Sequence, residues 1–155
     1  MRACGAAILR GRVGRLLRPC AGVTDEVRAL VDGRSFAYLA TTRPDGSPDV
    51  VPVWLTTVGD RIAFFTQTTS SKARNLERDG RVALAIADES NPYRAAHVRG
   101  RVVERRTDPA IWDDVIDPMA VKYTGEPFPM RPETTVLYEV EVESAKVRTL
   151  PFRHS

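Results

Sequence analysis

The stretch TTSSKARNLERDG, residues 68–80, concentrates groups that bind anions. The hydroxyls of Thr69, Ser70 and Ser71 are suited to cap a helix N-terminus by accepting backbone N–H groups. Leu76 is the one large apolar contact of that short helix, and Gly80 its expected stop. Its first turn carries Lys72 and Arg74, with no acid before Glu77. That end of a helix is partially positive, so a cation there costs a few tenths of a kcal/mol, up to about 1. Two readings follow. Either the helix is solvated, with Arg74 and Arg78 at i, i+4 on its wet face, or a phosphate sits at its N-terminus and turns both cations into a gain. Local rules are broken where something else compensates, often at a functional site.

Little else in the chain has the make-up of a catalytic centre. There are two histidines, His97 in a strand and His154 in the last two residues, so neither a metal set nor a triad assembles from them. His97 reads as structural or pocket-lining. The cysteines, Cys4 and Cys20, both precede the body of the chain, and no G-x-S-x-G occurs. Asp113 and Asp114 flank an apolar helix stripe, where solvated carboxylates are the normal case. No catalytic side chain is assigned. A chain this poor in reactive groups binds passively or takes its chemistry from a cofactor.

The elements that position residues 68–80 are mostly strands. TDEVRALVDGRS reads as a helix with Thr24 as cap, Val27, Leu30 and Val31 as stripe, and Gly33 as stop. Strands are expected at 36–42, 49–58, 61–68, 81–88, 95–104 and 134–142, the first two joined by the turn signal RPDGSP. In RVALAIAD, Val82, Leu84 and Ile86 share one face, and Ala83, Ala85 and Ala87 the other, which suits close approach of another layer. The span 108–131 reads as a helix around Ile111, Trp112, Val115 and Ile116, giving way to a proline-rich loop, GEPFPMRP. About six strands with short turns and few helices argue for a mainly β (α+β) fold, a closed or split antiparallel barrel. Neither GxGxxG nor GxxxxGK[ST] occurs.

The net charge of the 155 residues is +3, unevenly placed. Residues 1–23 hold Arg2, Arg10, Arg12, Arg15 and Arg18 and no acid; without them 18 cations face 20 acids, a balance of −2. The body of the chain is not basic, and a nucleic-acid footprint is not supported. The division expected is an Arg-rich extension over 1–23, disordered or a targeting peptide, and a domain over 24–155. Absence of a disulfide framework makes a reducing, cytoplasmic setting the default, and no apolar run approaches the roughly 20 residues of a membrane span.

Read in order, SFAYLATTRPDGSPDVVPVW, FFTQTTSSKARNLERDGRVALAIAD and NPYRAAHVRGRVV resemble the split-barrel flavin and deazaflavin proteins, the pyridoxamine-phosphate-oxidase-like superfamily. They are more closely similar to the branch that binds coenzyme F420, K-x-R-N-L before a strand being the most specific piece. The resemblance covers about residues 24–150. It implies a homodimer with the cofactor along its interface and a small-molecule acceptor stacked on the ring. Val50, Val51 and Pro52 would then lie beside the ring, and Thr66, Gln67 and Thr68 along the ribityl chain. Ser71 and Lys72 would hold the phosphate, with Asn75 and Arg78 nearby. Arg94 and Arg99 would extend toward the anionic tail. Trp54 and Tyr93 would wall the substrate space, Trp54 having an equal reading as core. Lys122, Tyr123 and Arg131 would close the pocket. The activity implied is hydride transfer between reduced F420 and a quinone-like, enone or tetrapyrrole acceptor, with solvent or Tyr93 supplying the proton. The alternatives are an FMN-binding oxidase of the same fold and a non-catalytic carrier, in which His97 would be the only candidate haem ligand of the body.

Overall fold

The structure, a computed structural model, describes residues 22–152. The N-terminal stretch to residue 21, with Cys4 and Cys20, and His154 lie outside the described residues.

Helix α1 (Asp25–Asp32) begins where the capping signal places it. Thr24 Oγ1 accepts the Val27 N–H, Asp25 and Glu26 occupy the first turn, and Val27, Leu30 and Val31 are buried. The chain then forms β1 (Ala37–Thr42) and β2 (Pro48–Val53). Between them Asp45 accepts both the N–H and the hydroxyl of Ser47, at 2.9 and 2.6 Å, and Gly46 takes the positive φ (84°) that the turn requires. Next come β3 (Thr56–Val58), β4 (Arg61–Gln67), α2 (Ser71–Arg78), β5 (Arg81–Ala87) and β6 (Arg94–Arg106). After a helical segment ending in α3 (Asp117–Thr124), β7 (Thr135–Thr149) closes the described chain.

All neighbouring strands are antiparallel, in the order β2-β1-β5-β6-β7-β4-β3. The two edges of this sheet are β2 and β3, yet only Trp54 and Leu55 separate them in sequence. Three Cα steps reach about 11 Å at most, so the edges must meet. The sheet is therefore rolled into a barrel that is split at this seam. The fold class is the expected one, with a refinement: 49–58 is two strands, so there are seven. Periodicity hid the change of partner, because Val51, Val53 and Leu55 all turn toward the core straight through the break. Up to Val53 the chain pairs with β1; from Thr56 it pairs with β4.

Strand β7 runs past the expected end at 142, its Ser144–Thr149 pairing with Arg94–Arg99 of β6, where Ala96 and Val98 are still buried. A register shift falls at Arg99/Gly100, where a Cβ on Gly100 would meet the Glu141 carbonyl oxygen at 2.3 Å. Only glycine allows that approach.

Two apolar cores lie on opposite sides of β4 and β7. One, inside the barrel, includes Leu39, Phe64, Leu84, Ile86, Tyr138 and Val140. The other joins Ala63 and Leu137 to Ile111, Trp112, Ile116 and Met119 beneath α3. The helix expected over 108–131 runs only from Ala110 to Thr124. Its middle, Trp112–Ile116, widens into a π turn, with the Asp117 N–H donating to the Trp112 carbonyl. Pro118 accounts for this: it has no N–H to donate and its ring crowds the carbonyl four residues back. Gly125, at φ 87°, caps α3 in the left-handed region and stops it short. Among the described residues no helix is long and apolar enough to cross a membrane.

Candidate functional site

Helix α2 starts one residue after its cap, Ser70, whose hydroxyl accepts the Ala73 N–H at 3.1 Å. Ser71 and Lys72 occupy the first two helical positions, where backbone N–H groups have no intrahelical acceptor. The helix ends at Arg78, with Asp79 rather than Gly80 as C-cap. Its two first-turn cations part company. Arg74 folds back so that its guanidinium donates to the Thr69 carbonyl at 2.8 Å, and it remains exposed. Lys72 turns the other way and is half-buried, donating to Thr66 Oγ1 at 3.1 Å. Among the described residues it has no carboxylate within salt-bridge distance. Burial pushes its ammonium below the usual lysine range, the Asp49 charge partly opposing this.

Lys72 borders a cavity of about 380 Å³ at the barrel seam. Pro52, Val53 and Trp54 line it from the end of β2, and Phe65 from β4. Phe36, just before β1, and Phe128, on the loop after α3, complete it. The walls are aromatic: Phe128 meets Phe65 edge-on at 5.3 Å and Trp54 at 6.3 Å. The loop carrying Phe128 is anchored by Asp117, which accepts its N–H and pairs with Arg131 at 2.6 Å. Arg131, stacked 5.0 Å over Trp112, thereby serves the loop rather than the cavity.

Pro52, Trp54 and Lys72 are thus brought together, with Thr66 behind Lys72. Val50 faces outward on β2 while Val51 packs on the core. Gln67 is exposed at the end of β4, and the Thr68 N–H bonds the Thr134 carbonyl. Ser71 is exposed near Arg74. Asn75 is buried, donating to Thr41 Oγ1 at 3.1 Å, and Arg78 bonds the Thr42 carbonyl, so both tie α2 to β1. Arg94 pairs with Asp88 at 3.1 Å in a separate cleft beside α1. Tyr93 packs edge-on against Phe152 at 5.3 Å. Arg99 donates to Ser144, and His97 is exposed on the outer face of β6. Neither Lys122 nor Tyr123 lines the cavity: Tyr123 stacks on Trp54, and Lys122 donates to the Val31 and Leu55 carbonyls. Phe36, Val53, Phe65 and Phe128 were not singled out in the sequence. The signal for Phe65 was there, since strand alternation sends Phe64 and Phe65 to opposite faces.

The outer face of β1, β2 and β5 is largely apolar and uncovered among the described residues, and that of β6 continues it with His97 and Arg99. Phe36, Tyr38 and Val50 are 52%, 51% and 58% exposed. Tyr38, Ala85 and His97 form one row across it. No group of three or more His, Cys, Asp or Glu among the described residues is placed to hold a metal.

The family model described as pyridoxamine 5'-phosphate oxidase matches residues 23–148, which includes every strand but the last residue of β7. The chain belongs to that family. This pyridoxamine 5'-phosphate oxidase family member is similar to a solved F420 reductase, 29% identical, over 77% of this chain and 94% of that one, with a TM-score of 0.67. It is also similar to a conserved hypothetical protein from Mycobacterium tuberculosis (23% identical, 87% and 94% covered, TM-score 0.68). A protein of unknown function from Agrobacterium tumefaciens is 20% identical, over 84% of this chain and 59% of that one, at a TM-score of 0.64. These last two likenesses speak to the fold alone. No curated protein matches the chain.

Proposed function

We propose that this family member is an F420-dependent oxidoreductase, passing a hydride between the reduced deazaflavin and a small organic acceptor. One observation carries the reading: Lys72 is a half-buried cation with a single hydroxyl partner, at a helix N-terminus and on the rim of an aromatic cavity. Taking an ammonium out of water without an anion is unfavourable, so the arrangement is completed by an anionic ligand. Lys72 Nζ and the free amides of Ser71 and Lys72 would hold its phosphate, and Pro52 and the aromatic walls would hold its ring. The cofactor, when bound, supplies the hydride. The chain supplies placement, through the α2 terminus, and a dry apolar space, through Trp54, Phe65 and Phe128. Ser71 and Lys72 are the phosphate-binding residues of this reading, with Val50, Pro52, Thr66 and Gln67 along the ring and ribityl chain. Asn75 and Arg78 support the helix. The similarity to an F420 reductase favours the deazaflavin over FMN.

We further propose a homodimer, in which a second copy covers the outer face of Tyr38, Val50 and the β5 alanines. Arg94, Arg99 and Tyr93 would reach the cofactor only across that interface.

The test is a side-by-side fluorescence titration with F420 and FMN at low and moderate salt. Tight, salt-weakened binding of F420 with little of FMN is expected. Preference for FMN would give the protein the same phosphate site and a flavin chemistry. Binding of neither would return α2 to a solvated helix. A monomer at micromolar concentration by light scattering would remove the shared interface.

A further inference from the structure

Leu55 sits in the seam between β2 and β3, fully buried, without a ladder partner for its N–H or its carbonyl. Buried backbone groups of this kind need partners from elsewhere. Two consecutive residues of α3 provide them. The Leu55 N–H donates to Tyr123 Oη at 3.2 Å, and Lys122 Nζ donates to the Leu55 carbonyl. Each of the two side chains then holds a second anchor. Tyr123 Oη donates to the Ser35 carbonyl at 2.9 Å, and Lys122 Nζ to the Val31 carbonyl at 2.8 Å. One residue of the seam is therefore held through both of its flanking peptide groups, and tied to the end of α1 and to the residues leading into β1.

The Tyr123 ring has a second role, independent of its hydroxyl. It stacks on Trp54 at 5.1 Å with 8° between the planes, and it lies 5.9 Å from Phe36. Trp54 and Phe36 both line the cavity, whereas Tyr123 does not. Two walls from different parts of the chain thus share one backing ring, whose own height is set by the hydrogen bonds of its oxygen.

We infer that Tyr123 is a positioning residue that sets the aromatic wall of the cavity, its hydroxyl locking the Trp54–Leu55 crossing and its ring backing Trp54 and Phe36. Lys122 secures the next peptide group, through the Leu55 carbonyl. The cavity's aperture is then a property of α3, which contributes no lining residue of its own. Its consequence for ligand affinity rests on the reading of the cavity as the ring site; its consequence for Trp54 does not.

The chain has two tryptophans, so Trp112→Phe leaves Trp54 as the sole tryptophan, read by excitation beyond the tyrosine band. In that background Tyr123→Phe removes only the hydroxyl. The variant is expected to keep its far-ultraviolet circular dichroism while acrylamide quenching of Trp54 rises and its emission shifts. Affinity for F420 or FMN, whichever the parent binds, should fall about three- to tenfold, the effect of one lost hydrogen bond. A Tyr123→Phe variant that is less stable yet shows the parent's quenching and emission would overturn the inference, since a merely structural hydroxyl lowers stability without moving Trp54. The unsubstituted protein offers a check that does not depend on the variant folding. The Leu55 amide should exchange with deuterium as slowly as the β1–β2 ladder, and exchange at loop rates would equally overturn the inference. A parent that binds neither cofactor strikes the functional reading alone, because quenching and exchange require no ligand.

Discussion

Lys72 and Lys122 stand in similar surroundings and do different work. Both are half-buried, and burial lowers the basicity of both ammonium groups. Lys122 donates to two backbone carbonyls and lies 4.6 Å over the Tyr123 ring, with the Asp32 charge nearby. Its hydrogen-bonding is met from within the chain. Lys72 has one hydroxyl, at 3.1 Å, and opens on a cavity. A buried cation that the fold has already satisfied holds the fold together. One that the fold leaves under-coordinated is where an anion adds something. On the proposed reading the same residue type, at about the same depth, serves architecture in one case and binding in the other.

The contrast is broken most directly at Lys122. Lys122→Ala removes the partner of the carbonyls of two buried residues, Val31 and Leu55, and we expect a loss of about 2–4 kcal/mol in stability, read from the denaturant midpoint. A change below about 0.5 kcal/mol would show that water replaces the ammonium at no cost. Lys72→Ala should do the opposite. Cofactor affinity should fall by about 1.5–3 kcal/mol, roughly 10- to 150-fold, as for a charge-assisted hydrogen bond. Folding stability should change by less than about 0.5 kcal/mol. Unfolding without loss of affinity would make Lys72 a second structural lysine.

The pH dependence sharpens the comparison further. Burial pushes Lys122 from the ordinary 10.5 down to about 8, so between those values the unfolded chain binds more protons than the folded one. Its contribution to stability therefore rises with pH across that window, and below about 8 the penalty for burying the charge is fully present. Burial raises the Tyr123 phenol above its usual 10, which has the opposite sign and lowers stability beyond that point. The melting temperature of the parent, relative to that of Lys122→Met, should climb between pH 8 and 10. A flat difference would mean that Lys122 is solvated. The smallest effect belongs to Arg74, whose guanidinium is exposed and turned back on Thr69. Arg74→Ala should alter cofactor affinity by no more than about threefold, in keeping with exposed charges. A larger loss would place two cations, not one, on the anion.

Much of the barrel was legible along the chain, because strand alternation and turn chemistry are local. Thr24 and the RPDGSP turn do what their residue types require, and Gly33 ends α1 where expected. The seam was not legible. Val51, Val53 and Leu55 keep one alternation across a change of partner, and partner choice leaves no mark on periodicity. The candidate site divides in the same way. The mismatch of charge at the start of α2 pointed to Lys72, but Arg74, two positions on, carries the same charge at the same end. Phe36, Phe65 and Phe128 come from three distant segments, and nothing local distinguishes a wall of a cavity from a residue of a core.

Residue types and their spacing were enough to establish the antiparallel strands and the hydroxyl-capped helix with cations in its first turn. Those properties follow from backbone preferences and from side-chain chemistry that neighbours along the chain express together. Closure of the barrel at Trp54–Leu55, the assignment of Lys72 to the cavity and Arg74 to solvent, and the grip of Lys122 and Tyr123 on Leu55 arise only on folding. The grip on Leu55 depends on groups dozens of residues apart meeting at hydrogen-bonding distance, and burial against distant segments then decides which polar groups are satisfied and which still seek a partner.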